Sequence, residues 1–480
     1  MGGGPGGTPV AIEYAKLNQE KSILLIDSLG KLGGECLFQG CIPSKIMEAS
    51  ARYTEMLGEM EAFGIVPETQ NYTLVWETIK QRKEEILDKR TAAAAALVST
   101  IDNIDMVKGD GVFASPKSIK LTAEDDEKTI TFAKAVIATG SRSFIPHYNG
   151  NGAEKIWTNS DFFAKMELPE SMGIIGSGAI AVELAMILSR LGVEVSLFVR
   201  GDKILKHIDL EVAEVLLEKL QNMAHVNLLL NSTVEDVAYE NDSFTVGYTQ
   251  GETKKQLIVQ RLLSAAGRVP NLESLQLEKA GVAYDKKGII VNKHLKTSNA
   301  QVFANGDVAK GYPQFAHTAQ YGAHTIAQNL FLEHDLFSVN YDINSWVLFT
   351  EPNYAEAGIS EAEAHKRGLD VIIDKFDFAT EAKSQIENED EGYLKFVVKK
   401  KSKKIIGISI LHPQAQAIGG EAALIVGKGL KLKDIINTIH PHPTISEAFI
   451  MLAKKMMGEV MLKKLEKPIV QKLLKIERWL

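Results

Sequence analysis

Residues 2–7 are Gly2-Gly3-Gly4-Pro5-Gly6-Gly7, which places glycines at the spacing Gly-x-Gly-x-x-Gly. A helical pattern follows, and the next apolar run, at residues 23–26, ends in Asp27. Glycines at this spacing let a backbone turn approach a pyrophosphate at a helix N-terminus, and an acidic residue about 20 positions later binds ribose hydroxyls. The stretch therefore predicts a dinucleotide-binding fold with Gly2, Gly4, Gly7 and Asp27 as contacts.

The strand that should precede this turn is reduced to Met1. In other chains with the same pattern, that strand lies at the centre of the sheet. Either the sequence begins several residues late or the domain lacks a central strand. We favour the first explanation.

A second glycine pattern is Gly176-Ser177-Gly178-Ala179-Ile180-Ala181. A strand pattern at 172–175 precedes it, and a helix over 179–191 and a strand over 193–199 are predicted to follow. A single pattern of this kind is explained equally well by a tight turn. Two copies, each between a strand and a helix, argue against coincidence and predict two bound dinucleotides, the second on Gly176 and Gly178.

Composition excludes several classes of protein. Hydrophobic residues make up 45% of the 480 residues and charged residues 24%, which are globular proportions. The net charge of −7 gives no attraction to nucleic acid or an anionic membrane, and no apolar run approaches the roughly 18–20 residues of a spanning helix. We expect a cytoplasmic chain of about three domains that binds small molecules or proteins.

The chain has two cysteines, Cys36 and Cys41, and they lie close together in the sequence. A structural disulfide over so short a loop would add little stability. A zinc site needs two more ligands, but no other cysteine exists and His147 is the first histidine. The pair therefore indicates redox chemistry, and no metal site is predicted.

The segment 33–45 must bend to bring these thiols together. Fully extended, the two Cα atoms would be roughly 16 Å apart, whereas a disulfide needs less than about 7 Å. Gly40 permits the bend, and Pro43 is typical of a first helical turn. Cys41 is therefore expected at a helix N-terminus, where a thiolate is stabilised.

This segment, GGECLFQGCIPSK, resembles the active-site motif of the pyridine nucleotide–disulfide oxidoreductases, the flavoprotein family that includes the lipoamide dehydrogenases and glutathione reductases. The resemblance covers nearly the whole chain and implies FAD as cofactor. It implies that Cys36 exchanges with the substrate and that Cys41 contacts the flavin. It also implies that Lys45 pairs with Glu183 near the flavin N5.

Three further motifs of the family follow in compatible order. They are Ala138-Thr139-Gly140, Gly267-Arg268-Val269-Pro270-Asn271 and Gly306-Asp307. The resemblance implies cofactor contacts at Thr139, Gly140, Gly267, Gly306 and Asp307, with Asp307 on the ribityl chain.

The segment from His440 to Glu447, HPHPTISE, supplies an acid/base candidate. An imidazole is a natural general base near neutral pH, and a carboxylate can fix its tautomer. The segment is similar to the family's His-Pro-Thr-x-Ser-Glu signature, which implies His442 as acid/base and Glu447 as its partner. It also implies a homodimer in which the base acts across the interface, with His440 in a supporting role.

Differences between this chain and the family's motifs indicate which member it resembles and which nicotinamide nucleotide it uses. Mercuric reductases and large thioredoxin reductases use additional C-terminal thiols, which this chain lacks. Ile-Pro-Ser-Lys at 42–45 resembles the lipoamide dehydrogenases. However, Val199 followed by Arg200 stands where those enzymes carry an acid for the NAD ribose. Loss of a carboxylate and gain of a guanidinium favour NADP(H), with Lys203 or Lys206 nearby and NAD(H) as the alternative.

The sequence thus predicts an α/β fold with two Rossmann-like dinucleotide-binding domains plus a C-terminal α+β dimerisation domain. We expect an FAD-binding domain over 1–145, an NAD(P)-binding domain over 146–270, a return to the FAD-binding domain over 271–342, a dimerisation domain over 343–457 and an amphipathic helical extension over 458–480. The expected activity moves two electrons between a dithiol/disulfide, foremost dihydrolipoamide, and a nicotinamide nucleotide. The substrate could be small or protein-bound, as in a 2-oxoacid dehydrogenase complex. The alternatives are an NADPH-dependent reductase of glutathione or a similar disulfide, and a catalytically silent flavin-binding interaction subunit.

Overall fold

The structure is a computed structural model that describes residues 1–66, 68, 72–123 and 126–465. Contacts between Cα atoms divide the chain into two compact units. The first consists of Met1–Ile204 and Leu220–Tyr341, and the second of Leu205–Lys219 and the chain from Asp342 onward. The first unit thus holds both glycine turns, with residues 205–219 grouped elsewhere.

The elements of the first dinucleotide-binding segment run from α1 to β7. They are α1 (Thr8–Leu17), β1 (Ile23–Asp27), α2 (Gly34–Phe38), α3 (Cys41–Glu59), α4 (Trp76–Ser99), β2 (Ile104–Lys108), β3 (Asp110–Ser115), β4 (Ser118–Ala123), β5 (Asp126–Thr131), β6 (Ala135–Ile137) and β7 (Ser141–Ser143).

The second glycine pattern lies in the segment from α5 to β15. Its elements are α5 (Asn159–Lys165), β8 (Ser171–Ile175), α6 (Ala179–Arg190), β9 (Glu194–Phe198), α7 (Leu210–Asn222), β10 (Val226–Leu229), β11 (Ser232–Glu240), β12 (Ser243–Gln250), β13 (Thr253–Val259), β14 (Arg261–Ser264) and β15 (Arg268–Pro270). The chain then returns to the first segment through β16 (Tyr284–Asp285), β17 (Gly288–Ile289), β18 (Val302–Ala304) and α8 (Ala316–Leu332).

The second glycine turn sits in a parallel sheet of order β10-β9-β8-β14, which is the arrangement of a dinucleotide-binding fold. The strands are short apolar runs with buried side chains, as expected where helices cover a parallel sheet. The antiparallel sheet β11-β12-β13 follows, and its middle strand alternates buried and partly buried residues.

Around the first glycine turn, the parallel pairs β1–β2 and β6–β18 flank the position of the predicted first strand. Met1 N donates to Val136 O (2.9 Å), and Met1 O accepts from Ala138 N (2.8 Å). Gly2 N donates to Ile26 O at 2.7 Å. Met1 and Gly2 therefore form backbone hydrogen bonds with both flanking strand pairs. They lie where the predicted first strand would lead into the glycine turn.

Two short strands connect the dinucleotide-binding segments. β7 leaves the first segment, β15 leads back to it, and they pair antiparallel with Arg268 opposite Ser143. Each strand follows a family motif, Ala138-Thr139-Gly140 or Gly267, so the pair brings the two motifs together.

The second unit is built on an antiparallel sheet of order β19-β20-β23-β22-β21. Its core includes Phe396, Ile410 and Phe449, each at most 1% exposed. The elements are β19 (Ser345–Leu348), β20 (Tyr354–Gly358), α9 (Glu361–Lys366), β21 (Val371–Asp377), α10 (Ala382–Ile386), β22 (Tyr393–Lys399), β23 (Ile405–Leu411), α11 (Ala415–Lys428), α12 (Leu432–Ile436) and α13 (Glu447–Leu465).

The predicted extension at 458–480 does not begin a new helix. α13 runs without a break from Glu447 to Leu465 and carries buried residues such as Leu452 and Met456. α13 thus crosses the boundary expected at Gly458, and residues 466–480 lie outside the described residues.

The predicted fold class is confirmed. The structure is α/β, with a glycine turn between strand and helix in each dinucleotide-binding segment and an antiparallel C-terminal sheet covered by helices.

Candidate active site

The first glycine turn has the close packing that a phosphate-binding backbone needs. Gly2 has a φ of +110°, and a Cβ there would lie 2.2 Å from Ala138 O. A Cβ on Gly7 would lie 2.0 Å from Gly2 O. Only glycine fits both positions, and α1 begins directly after them, so its N-terminal partial positive charge is directed to the turn.

Asp27 ends β1 beside this turn. Its carboxylate accepts hydrogen bonds from Gly3 N (2.8 Å) and Leu29 N (3.0 Å). The predicted ribose-binding acid therefore lies against the predicted phosphate-binding loop.

The two glycines of the second turn differ in how closely neighbouring atoms pack against them. A Cβ on Gly176, whose φ is +152°, would lie 2.4 Å from Ala265 O. A Cβ on Gly178, the N-cap of α6, would meet no described atom within 4 Å. Close packing at Gly176 thus shapes the turn, while Gly178 leaves room where a pyrophosphate is expected.

At the end of β9, Val199 is fully buried and Arg200 is exposed. Val199, which stands where the lipoamide dehydrogenases carry a ribose-binding acid, therefore belongs to the core. The exposed group available to a nucleotide is the Arg200 guanidinium. Lys203 is also exposed in this unit, whereas Lys206 belongs to the other compact unit.

Cys36 lies in α2 and Cys41 is the first residue of α3. Hydrogen bonding to Cys36, with the nearby Lys45 ammonium, lowers the pKa of Cys41 to about 7, while hydrogen bonding to Cys41 and burial raise the pKa of Cys36. Near neutral pH, Cys36 therefore stays a thiol and donates to a Cys41 thiolate, as expected for a thiol at a helix N-terminus.

Lys45 and Glu183 form the predicted ion pair. Lys45 Nζ donates to Glu183 Oε2 at 2.6 Å, and both side chains are largely shielded from solvent. The pair joins α3, which carries Cys41, to α6, which follows the second glycine turn.

The implied flavin-binding motifs meet at β7 and β15. Thr139 Oγ1 donates to Asn271 O (3.0 Å), and Asn271 Nδ2 donates to Thr139 O (2.8 Å). Ser141 Oγ donates to Asp307 Oδ2 at 2.6 Å, and burial raises the pKa of Asp307. Gly140, Gly267 and Gly306 all have positive φ, at +69°, +133° and +75°.

Sequence reasoning missed a second ion pair beside the thiols. The Arg268 guanidinium donates to both carboxylate oxygens of Glu35, the residue before Cys36. Asn159 Nδ2 also donates to Glu35 Oε1 at 3.2 Å. The sequence showed only that a charged residue, Glu35, stands next to the first cysteine. Its partners Asn159 and Arg268 lie 124 and 233 positions away in the sequence.

The second unit holds two imidazole–carboxylate pairs. His442 Nδ1 lies 2.9 Å from Glu447 Oε2, and the His442 side chain is 73% exposed. His440 Nε2 lies 3.0 Å from Glu421 Oε1, and the His440 side chain is only 5% exposed. Thr444 N also donates to Glu447 Oε2 (3.1 Å), which fixes the carboxylate. His442 is thus the accessible base of the two.

The described residues contain no group of three or more His, Cys, Asp or Glu side chains suited to a metal ion. No helix within them combines the length and apolar character needed to cross a bilayer.

Comparisons with known proteins cover nearly the whole chain. Residues 1–323 match the family described as pyridine nucleotide-disulphide oxidoreductase, and residues 344–453 match the dimerisation domain of that family. The chain belongs to the pyridine nucleotide-disulphide oxidoreductase family. The family predicted from the cysteine motif is therefore confirmed.

Two bacterial relatives with the same name match the chain over nearly its full length. The chain is 31% identical over 461 residues to a dihydrolipoyl dehydrogenase of Bacillus subtilis, covering 95% of this chain and 96% of that one. It is 32% identical to the dihydrolipoyl dehydrogenase of Geobacillus stearothermophilus, covering 95% of each. Among solved structures, the fold is similar to the Cu(II) complex of a cysteine-to-serine mutant of RclA, an HOCl-induced flavoprotein disulfide reductase from Escherichia coli. The TM-score is 0.81 at 24% identity, over 94% of this chain and 97% of that one.

Pyridine nucleotide-disulphide oxidoreductases are FAD-dependent enzymes that use NAD(P)H, and the residues present fit this cofactor. The cradle of Gly2 and Gly7 admits no Cβ, and Asp27 lies beside it. The partly buried carboxyl of Asp307 is held by Ser141. The expected flavoprotein is thus supported by both the family and the local geometry.

Proposed function

We propose that this chain is a homodimeric flavoprotein disulfide oxidoreductase that moves two electrons between dihydrolipoamide and a nicotinamide nucleotide. The observation that carries the proposal is the placement of Cys36 in α2 and of Cys41 at the N-terminus of α3, the helix whose Lys45 pairs with Glu183, and the pKa of Cys41 is lowered to about 7. A resting thiolate next to a protonated thiol is the product expected when a substrate dithiol reduces a protein disulfide.

The chain's own residues account for the thiol chemistry. A substrate thiol loses its proton to His442, and the resulting thiolate attacks Cys36 Sγ of the Cys36–Cys41 disulfide. That S–S bond breaks, and Cys41 leaves as a thiolate. The second substrate thiol then attacks the substrate sulfur of the mixed disulfide, which closes the substrate disulfide and releases Cys36, and its proton goes to Cys36.

Glu447 fixes the tautomer of His442. Because the imidazole Nδ1–H donates to the carboxylate, the lone pair remains on Nε2, and the imidazolium that forms is stabilised. Bound FAD would supply two-electron transfer between the thiol pair and the nicotinamide nucleotide. Gly2, Gly4, Gly7, Asp27, Thr139, Gly140, Gly306 and Asp307 would hold FAD, while Gly176, Gly178, Arg200 and Gly267 would serve the nicotinamide nucleotide.

The choice of dihydrolipoamide rests on the names of the relatives and on the Ile-Pro-Ser-Lys segment. It extends to a protein-bound lipoyl group, as in a 2-oxoacid dehydrogenase complex. We place the enzyme in the cytoplasm, where reducing conditions suit a catalytic rather than a structural thiol pair.

A second candidate is an NADPH-dependent reductase of glutathione disulfide or a similar small disulfide. The exposed guanidinium of Arg200 beside the buried Val199 favours it, because a cation at this strand end suits a 2′-phosphate.

Steady-state assays with lipoamide and with oxidised glutathione, each with both nicotinamides, separate these functions. Turnover of lipoamide at least tenfold above glutathione disulfide supports the main proposal, and the reverse supports the second candidate. A flavin-containing protein that turns over neither disulfide would instead be a silent interaction subunit.

A further inference from the structure

The helix that carries Cys36 is too short to hold its own shape. α2 spans five residues, Gly34–Phe38, whereas helices below about 12–15 residues are marginal in water. The location of the Cys36 thiol therefore depends on what surrounding groups bind to α2.

An ion pair holds the first turn of α2. Glu35 accepts from both terminal nitrogens of Arg268, at 2.8 Å from Nη1, and the side chains are 27% and 17% exposed. A bidentate pair fixes orientation as well as distance. Because Glu35 is the neighbour of Cys36, this orientation is passed directly to the thiol.

A buried amide joins the two ends of α2. Asn159, 4% exposed, donates from the same nitrogen to Glu35 Oε1 (3.2 Å) and to Gln39 O (2.7 Å). Its own oxygen accepts from Ser143 Oγ at 2.5 Å. Gln39 is the C-cap of α2 and lies two residues before Cys41, so Asn159 bridges the loop that separates the thiols.

Arg268 continues the network toward the proposed flavin site. Its Nε donates to Ser141 Oγ (2.9 Å) and Nη2 to Ser141 O (2.9 Å). Ser141 in turn donates to Asp307. The groups that hold α2 therefore belong to the strand pair β7–β15. The two strands are joined by backbone pairing and by the Arg268–Ser141 hydrogen bonds.

We propose that Glu35 is a positioning residue of the redox reaction, acting with Asn159 and Arg268 as a clamp that holds Cys36 within bonding reach of Cys41. The proposal rests on the assignment of these cysteines as the redox pair in the proposed function. Glu35 touches neither substrate nor thiol chemistry itself.

The clamp raises the effective concentration of one thiol at the other, which favours the disulfide over the dithiol. Without it, the disulfide is easier to reduce, so the reduction potential of the pair rises. A tenfold loss of effective concentration corresponds to about 30 mV for a two-electron couple.

The test equilibrates the FAD-bound protein with glutathione redox buffers, in which one protein disulfide and two glutathione thiols give the protein dithiol and one glutathione disulfide. Alkylation of thiols and mass measurement then report the oxidised fraction. We expect Glu35→Ala and Asn159→Ala each to lower the equilibrium constant for disulfide formation at least tenfold. The double variant should lose less than the product of the two, because both act through one clamp.

Matched variants separate positioning from general destabilisation. Asp242→Asn weakens the Arg261–Asp242 pair in the same compact unit in the way that Glu35→Gln weakens the Arg268–Glu35 pair, and it should leave the potential unchanged. Glu35→Gln keeps one acceptor oxygen and should give an intermediate shift, which also preserves the test if Glu35→Ala fails to fold.

Three results would overturn the clamp: equilibrium constants within threefold of the parent in both Glu35 variants, independent effects of Glu35 and Asn159, or an equal shift in Asp242→Asn. A parent protein that forms no Cys36–Cys41 disulfide in any buffer would overturn both proposals. The potential is measured without substrate, so failure to turn over lipoamide or glutathione disulfide leaves the test of the clamp intact.

Discussion

Cys41 is the residue whose protonation state defines the proposed site. The Cys36 hydrogen bond and the Lys45 ammonium lower its pKa to about 7, so its thiolate is present above that pH and lost below it. Removing the cation in Lys45→Met should raise the pKa and reduce the thiolate fraction at neutral pH. The ultraviolet absorbance of the thiolate in the reduced protein, followed against pH, measures the midpoint of the titrating pair.

The matched control for this titration is Lys16→Met, which removes an exposed cation from the last turn of α1. It should leave the midpoint in place. A midpoint that does not move in Lys45→Met would show that the Cys36 hydrogen bond alone sustains the thiolate.

Serine variants of the two cysteines should have different effects, because the two thiols have different proposed roles. Cys36→Ser should abolish disulfide exchange while leaving Cys41 able to give a long-wavelength absorbance band as a thiolate beside the flavin. Cys41→Ser should lose the band. Visible spectra of the two reduced proteins decide this division, and a band that survives in Cys41→Ser and vanishes in Cys36→Ser would reverse the roles.

Residues within a contiguous motif were predictable, whereas their distant partners were not. The spacing of 33–45 located both thiols and Lys45, and the family resemblance supplied Glu183 as its partner. Glu35 stands in the same segment, yet its carboxylate is held by Arg268 and Asn159, which only the strand pair β7–β15 and the start of α5 bring near. Local pattern carries no information on such long-range pairing.

At the scale of elements, the second glycine turn makes a paired prediction. Gly176→Ala forces a Cβ to 2.4 Å from Ala265 O at a φ of +152°, which should destabilise the protein by about 1–3 kcal/mol. Gly178→Ala meets open space, so its stability should equal that of the parent while nicotinamide nucleotide affinity falls. Thermal unfolding and nucleotide titration test both, and full affinity in Gly178→Ala would remove this turn from the nucleotide site.

The strand end at Arg200 makes a prediction about nucleotide preference. A charge-assisted hydrogen bond to a 2′-phosphate is worth about 1.5–3 kcal/mol, so NADPH should reduce the flavin at least about tenfold more efficiently than NADH. Arg200→Glu should reverse the order. Rapid-mixing measurements of flavin reduction with both nucleotides provide the test, and equal rates in the parent would contradict the expectation.

Helix boundaries predicted from the sequence agree with the structure where a glycine directly precedes the helix. α3 begins at Cys41 directly after Gly40, and α6 begins at Ala179, the predicted start of that helix, directly after Gly178. Gly458 lies inside α13, so this glycine does not end the helix despite the weak helix propensity of glycine. Propensity at one position is too weak a signal to place a helix boundary.

At the scale of the whole molecule, the thiols and the base belong to different compact units. Cys36 and Cys41 lie in the first, and the His442–Glu447 pair lies in the second, within the family's dimerisation domain. The exposed imidazole of His442 is available to a partner. We therefore expect His442→Gln to lower dithiol turnover by roughly 10²–10⁴-fold while flavin reduction by the nicotinamide stays nearly unchanged.

Mixed dimers test whether His442 serves the thiols of the opposite subunit. A dimer of one Cys36→Ser subunit and one His442→Gln subunit would then contain one complete site and one site lacking both groups, so it should recover up to half of the parent activity. Each variant alone should show almost none. The two subunits can be co-expressed with different affinity tags so that only mixed dimers are assayed. If verified mixed dimers show no recovery, the base acts within its own chain, because each chain then lacks either its thiol or its imidazole.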